Sequence, residues 1–216
     1  MIYPIYALWC HPRSSSTAFE RVMRERGDLD CLHEPFLYHY YVHKAVRHLP
    51  HFERKPGHPT SYEEVKEHLL ERATHGPVFF KDMAYYMAEE LLEDPAFAKR
   101  ITHSFLVRDP AESILSYAKL DPEVTDEEIG IVAQWRLYSG LTELKIPSTI
   151  IQSAKFRQHP TEMMQAYWQA VGLDIKHDAF EWDKTVPDGW DSVAGWHGEV
   201  LSSGGIRPPE SGRDYL

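Results

Sequence analysis

Residues 5–20, IYALWCHPRSSSTAFE, run from an apolar strand through a hydroxyl-rich turn into a helix, and that order constrains everything downstream. Ile5 to Cys10 is a short, continuous apolar run, the pattern of a strand buried on both faces. His11, Pro12 and Arg13 make the turn, and Phe19, Val22 and Met23 then recur at helical spacing. Unpaired N–H groups at a helix start carry partial positive charge and cradle phosphate or sulfate. Ser14, Ser15, Ser16 and Thr17 add hydroxyl donors, and Arg13 a planar cation suited to an oxyanion. Read alone, the stretch also fits a serine-rich helix cap beside a stray arginine.

The other strands and helices place that turn. Asp30 to Glu34 is a short strand ending in His33-Glu34, followed by Pro35. Leu37 to Leu49 is expected to be helical, and His51 to Thr60, with two prolines and a glycine, a loop. Ser61 starts a helix through a capping box with Glu64. Val78 to Phe80 reads as a strand closing on Lys81-Asp82. A helical stretch from Tyr85 to Lys99 is interrupted near Pro95. Ser104 to Val107 is a strand ending at Arg108-Asp109-Pro110, with helices expected over 111–120 and 126–144. Thr149 to Ile151 is a last strand, and Thr161 to Val171 a last helix. From Asp188 onward the chain reads as an ordered, loop-rich tail.

Strands alternating with helices predict an α/β fold of three layers, a parallel sheet of about five strands between helices. Ligands in such folds bind where loops converge at the carboxyl ends of the strands. Four successive strands here end in ionisable residues: His11-Pro12-Arg13, His33-Glu34, Lys81-Asp82 and Arg108-Asp109. That edge is the expected functional site.

Composition narrows the chemistry. At 216 residues the chain fits one domain, 1–216, without repeats or an evident linker. The net charge of −10 argues against nucleic acid and anionic membrane as partners. No apolar run nears the roughly 20 residues of a membrane span, and the N-terminus lacks a secretory pattern. Two cysteines, Cys10 and Cys31, fall in expected strands, which suits a reducing cytoplasm. The thirteen histidines match no zinc spacing, so no metal site is expected.

There is no GxxxxGK[ST], so a triphosphate-cleaving P-loop is poorly supported. Pro12-Arg13-Ser14-Ser15-Ser16-Thr17 instead resembles the P-[KR]-[ST]-G-[ST]-[ST] loop of sulfotransferases that use 3′-phosphoadenosine 5′-phosphosulfate (PAPS), with Ser15 where glycine is usual. Arg108-Asp109-Pro110, five residues, then Ser116-Tyr117 resembles that family's R-[DN]-P-x5-S-Y pattern. The resemblance implies a P-loop nucleotide-binding-like fold. It also implies that Arg13 and Ser14 to Thr17 hold the 5′-phosphosulfate, and that Arg108 and Ser116 hold the 3′-phosphate.

His33-Glu34-Pro35-Phe36 is similar to the setting of the catalytic glutamate in several subfamilies. Glu34 is then the base, with His33 its competitor. Lys81 matches the lysine of the family's K-x-H, but Met83 stands at the histidine position, which makes the glutamate more needed. Ser203 and Gly204 are candidates for a loop over the nucleotide, although the family's R-K-G is absent there.

The function implied is sulfuryl transfer from PAPS to a hydroxyl or amine of a small organic acceptor, leaving adenosine 3′,5′-bisphosphate. No metal is required, because Arg13 and Lys81 meet the developing charge. Residues 37–76 are expected to supply a lid or acceptor wall, a packed helix pair being the other reading. Trp182, Trp190 and Trp196 either line the pocket or fill the core. A homodimer is left open. Two other readings stand beside this one: a P-loop kinase or nucleotide hydrolase, and a non-catalytic nucleotide-binding protein.

Overall fold

The computed structural model describes residues 2–183, 185–190 and 204–206. Its strands are β1 (Ile5–Cys10), β2 (Asp30–His33), β3 (Val78–Met83), β4 (Ile101–Val107) and β5 (Ser148–Gln152). They pair in parallel in the order β2-β3-β1-β4-β5. All six residues of β1 are buried, as the unbroken apolar run requires of the central strand. The helices are α1 (Ser16–Glu25), α2 (Tyr62–Arg72), α3 (Ala88–Glu93), α4 (Pro95–Ala98), α5 (Pro110–Ala118), α6 (Ile131–Glu143), α7 (Ser153–Gln158) and α8 (Pro160–Val171).

Side chains alternate across the sheet, and this sorts the layers. Phe19 on α1 meets Phe156 of α7 and Tyr167 of α8, with ring centroids 5.2 and 5.0 Å apart. Trp9 projects to the opposite face, where its Nε1 donates to His103 Nδ1 at 2.8 Å and His103 Nε2 donates to the Ala98 carbonyl at 2.9 Å. On α6, the Gln134 amide donates to the Trp9 and Leu106 carbonyls at 2.9 and 3.0 Å. One buried side chain thus ties the carboxyl ends of β1 and β4 together.

Local chemistry explains most boundaries. The capping box is present: Ser61 Oγ accepts from the Glu64 N–H at 3.2 Å, and Glu64 Oε2 accepts from the Ser61 N–H at 3.0 Å. The helix expected over 85–99 splits into a short 3₁₀ turn (Ala84–Tyr86), α3 and α4. Asp94, ahead of Pro95, leaves helical geometry and caps α4 by accepting from the Phe97 N–H at 3.1 Å. The helix expected from Asp126 begins only at Ile131, because Gly130 turns at φ +78°. A Cβ there would lie 3.0 Å from Tyr85 and 3.2 Å from Pro12.

Between 37 and 49 the expected helix shrinks to one wide π turn, His39–His43. Tyr38, Tyr40 and Tyr41 are all buried there, and no single helical stripe can bury neighbours so closely spaced. The short α7 has no counterpart in the sequence reading. The tail expected from Asp188 lies outside the described residues except for 188–190 and 204–206. No helix among the described residues is long and apolar enough to cross a membrane.

Candidate active site

The loop after β1 is held from behind. His11 is fully buried, and its Nε2 accepts from the Arg108 N–H at 3.1 Å while Nδ1 donates to the Pro12 carbonyl at 3.1 Å. Burial pulls its pKa down to about 4 against the opposing pull of that carbonyl, so the ring is a neutral brace at physiological pH. Arg13 and Ser15 both sit in the left-handed region, at φ +63° and +72°. Ser15 therefore adopts the conformation that the glycine of the resembled loop would take freely, at a cost of about 1–2 kcal/mol.

That backbone course gathers the expected anion ligands. Arg13 Nε donates to Ser116 Oγ on α5 at 3.0 Å. Arg108 Nη1 donates to the Arg13 carbonyl at 2.7 Å, and its Nε donates to Glu112 at 2.9 Å. Arg13, Arg108 and Ser116 thus form one corner. Asp109 caps α5, accepting from the Ala111 N–H at 2.9 Å, and Pro110 opens the helix. The motif is therefore a helix start as well as a cation site.

Ser14 Oγ is buried without a hydrogen-bond partner among the described residues. Ser15 Oγ accepts from Ser153 Oγ at 3.4 Å, and Ser16 and Thr17 lie in the first turn of α1. An orphaned hydroxyl, a helix N-terminus and two guanidinium groups fit a phosphate-bearing nucleotide.

Contrary to the expectation that β3 closes before Lys81, the strand runs on through Lys81 and Asp82. His33 and Lys81 are partners in the β2–β3 ladder, so both project to the α1 face. Asp82, one residue on, goes to the other face and accepts from the Phe36 N–H at 2.8 Å. Burial and the Glu34 charge push its carboxyl well above the usual range.

Glu34 stands at the end of β2 with φ +44°. Its Oε1 accepts from Lys81 Nζ, and its Oε2 accepts from the Tyr86 hydroxyl at 3.0 Å. Burial alone would raise the Glu34 carboxyl, but the Lys81 charge and these hydrogen bonds hold it below its ordinary value. For Lys81 burial works the other way, and Glu34 and Glu20 outweigh it to keep the ammonium charged. The result is a buried, ionised carboxylate–ammonium pair at the sheet edge.

Beside it opens a small cleft lined by His33, Glu34, Leu37, Tyr38, Lys55, His58 and Gly189. His58 stacks on Tyr38 with ring centroids 3.8 Å apart. Four wall residues, Leu37, Tyr38, Lys55 and His58, come from within residues 37–76, the part of the chain expected to form a lid or acceptor wall.

Not every candidate gathers here. Gly204 packs near the Trp182 carbonyl, on the Arg21 side of α1, and Ser203 and Trp196 lie outside the described residues. Trp190 is buried, and its Nε1 donates to Glu20 at 2.8 Å. Tyr86, Lys55, His58 and Glu20 were not singled out from sequence. Of these, only Glu20 left a signal: a carboxylate one turn before Met23, within the apolar stripe of α1. Among the described residues, no group of three or more His, Cys, Asp or Glu side chains is placed to hold a metal ion.

Comparisons with known proteins give the chain's family and fold. A family model described as "Sulfotransferase domain" matches residues 5–214. A solved sulfotransferase domain from the curacin biosynthetic pathway superposes with a TM-score of 0.56 at 12% identity, covering 88% of this chain and 83% of that one. A sulfotransferase from Alicyclobacillus acidocaldarius gives 0.53 at 13% identity, covering 93% and 96%. A mouse sulfotransferase solved in complex with PAP gives 0.51 at 12%, covering 98% and 73%. At such identities these structures establish a shared fold. A curated relative, branched-chain-amino-acid aminotransferase-like protein 2 of Arabidopsis thaliana, is 21% identical over 206 residues, 94% of this chain. The chain spans only about a third, 36%, of that relative's length.

Proposed function

The chain belongs to the sulfotransferase domain family, and on that premise we propose that it moves a sulfuryl group from PAPS to a hydroxyl or amine of a small organic acceptor. One observation carries the reading. The buried Glu34–Lys81 pair and the Arg13–Ser116–Arg108 corner stand at the same carboxyl edge of one parallel sheet.

The residues divide the work by charge. Ser14, Ser15, Ser16, Thr17 and the N-terminal N–H groups of α1 would hold the phosphosulfate end. Arg108 and Ser116 would hold the 3′-phosphate, and Arg13, which joins the loop to Ser116, would meet the charge developing on the transferred group. When bound, PAPS supplies an anionic sulfuryl group attached to a good leaving group. Lys81 sits where it offsets negative charge gathering beside Glu34. Glu34 takes the proton from the attacking hydroxyl or amine, and its depressed pKa keeps it ready as a base at neutral pH. Leu37, Tyr38, Lys55 and His58 form the acceptor wall, whose aromatic and basic character suits a small aromatic or anionic compound.

Arg13 links the loop to α5, so it tests the whole arrangement. Arg13→Ala is expected to lower turnover of PAPS at least ~100-fold, the scale of losing one charged transition-state contact. The assay is release of adenosine 3′,5′-bisphosphate by a variant whose circular dichroism matches wild type. Unchanged turnover in that folded variant removes Arg13 from the mechanism.

A further inference from the structure

Behind the proposed base lies a line of three side chains. His33 Nε2 is 3.7 Å from Glu34 Oε1, and His33 Nδ1 is 2.5 Å from Glu20 Oε2. The His33 ring and the Glu20 side chain are both shut off from solvent. An ionised carboxylate only accepts, so the proton on this bond belongs to Nδ1, and Glu20 fixes the ring with Nε2 toward Glu34. Glu20 is itself held: its Oε1 accepts from Arg24 Nε and from Trp190 Nε1, each at 2.8 Å. A carboxylate that orients an imidazole, which in turn faces the group handling a proton, is a base-and-orienter arrangement.

We propose that Glu20 is a positioning residue of the transfer reaction, holding His33 so that Nε2 relieves Glu34 of the acceptor's proton. As the acceptor attacks, its O–H or N–H bond breaks, the proton passes to Glu34, and the freed electron pair forms the bond to sulfur. The bond from sulfur to the bridging oxygen breaks, and its electron pair leaves with adenosine 3′,5′-bisphosphate. Once Nε2 closes from 3.7 Å to hydrogen-bonding distance of Oε1, the new Glu34 O–H bond breaks as a His33 Nε2–H bond forms. Glu34 is again a carboxylate beside Lys81, and the imidazolium lies between two carboxylates until its proton leaves with product through the cleft that His33 lines. Placing Glu20 on α1 also joins the proton path to the helix whose start holds the donor. The inference rests on the sulfuryl-transfer reading above.

The test is a cycle of Glu20→Gln, His33→Gln and the double variant, assayed for PAPS turnover with phenols of graded acidity from phenol to 4-nitrophenol. Each single change is expected to lower kcat about 10- to 100-fold with the KM for PAPS within about threefold of wild type. The double variant should be no slower than the worse single one. The loss should also shrink as the phenol becomes more acidic, because an ionised acceptor brings no proton to remove. Additive losses, an unchanged kcat in either single variant, or one uniform loss across the phenols would overturn the role of Glu20. Should Glu20→Gln not fold, His33→Gln alone must still show the graded loss. Wild-type protein that binds neither PAPS nor adenosine 3′,5′-bisphosphate removes the sulfuryl-transfer reading itself, and this inference with it.

Discussion

Glu34→Gln is expected to slow sulfuryl transfer about 10²–10⁴-fold while adenosine 3′,5′-bisphosphate binds within about threefold of wild type. Glutamine keeps the shape of the side chain and its hydrogen bond from Tyr86, but it has no charge for Lys81 and no site for a proton. Stopped assays of PAPS turnover and calorimetry on the same preparation separate the two effects. In wild type the Glu34 carboxyl lies below its ordinary value, so it is ionised across the neutral range. The rate it supports should therefore fall only as pH drops through that lowered value. Its contribution to stability carries the same sign: present above the unfolded carboxyl's pKa of about 4.3, and lost as pH falls through the folded one. A variant that binds nucleotide and matches wild type in every rate would favour a non-catalytic binding protein.

Lys81→Met is expected to cost more than activity. Nothing replaces the ammonium against Glu34, and stranding one member of a buried pair costs about 3–5 kcal/mol, or roughly 6–20 °C in Tm for a domain this size. Without that cation, burial raises the Glu34 carboxyl, so the acid limb of any residual activity moves to higher pH. Adding Glu34→Gln to Lys81→Met should recover much of the lost stability and none of the activity. Calorimetric melting of the single and double variants checks this. A double variant no more stable than Lys81→Met would mean that the two side chains do not depend on each other.

Much of this site could be read before any coordinates. Strand ends, loop and helix starts follow from local patterns, and the four ionisable strand ends do meet on one edge. Ser15 shows where local reading reached its limit: a serine at a glycine position left the loop's shape open. The structure shows the serine taking the left-handed turn regardless, braced by His11 and by the Arg108 contact with the Arg13 carbonyl. Lys81 and Asp82 looked like residues beyond a strand because charge inside a sheet is costly. They remain within β3 because Glu34 and the Phe36 N–H, distant in sequence, satisfy them. Glu20 was hidden for a like reason. Its place in the apolar stripe of α1 marks it as unusual, but its partner His33 is distant in sequence, and only the tertiary fold brings the two together.

The most direct measurement is calorimetric titration of the wild-type chain with adenosine 3′,5′-bisphosphate in parallel with ATP and magnesium. The account predicts clear binding of the bisphosphate, weakened about 10- to 100-fold by Arg108→Ala, and much weaker binding of ATP. Preference for ATP with magnesium, or bisphosphate binding indifferent to Arg108, would contradict it.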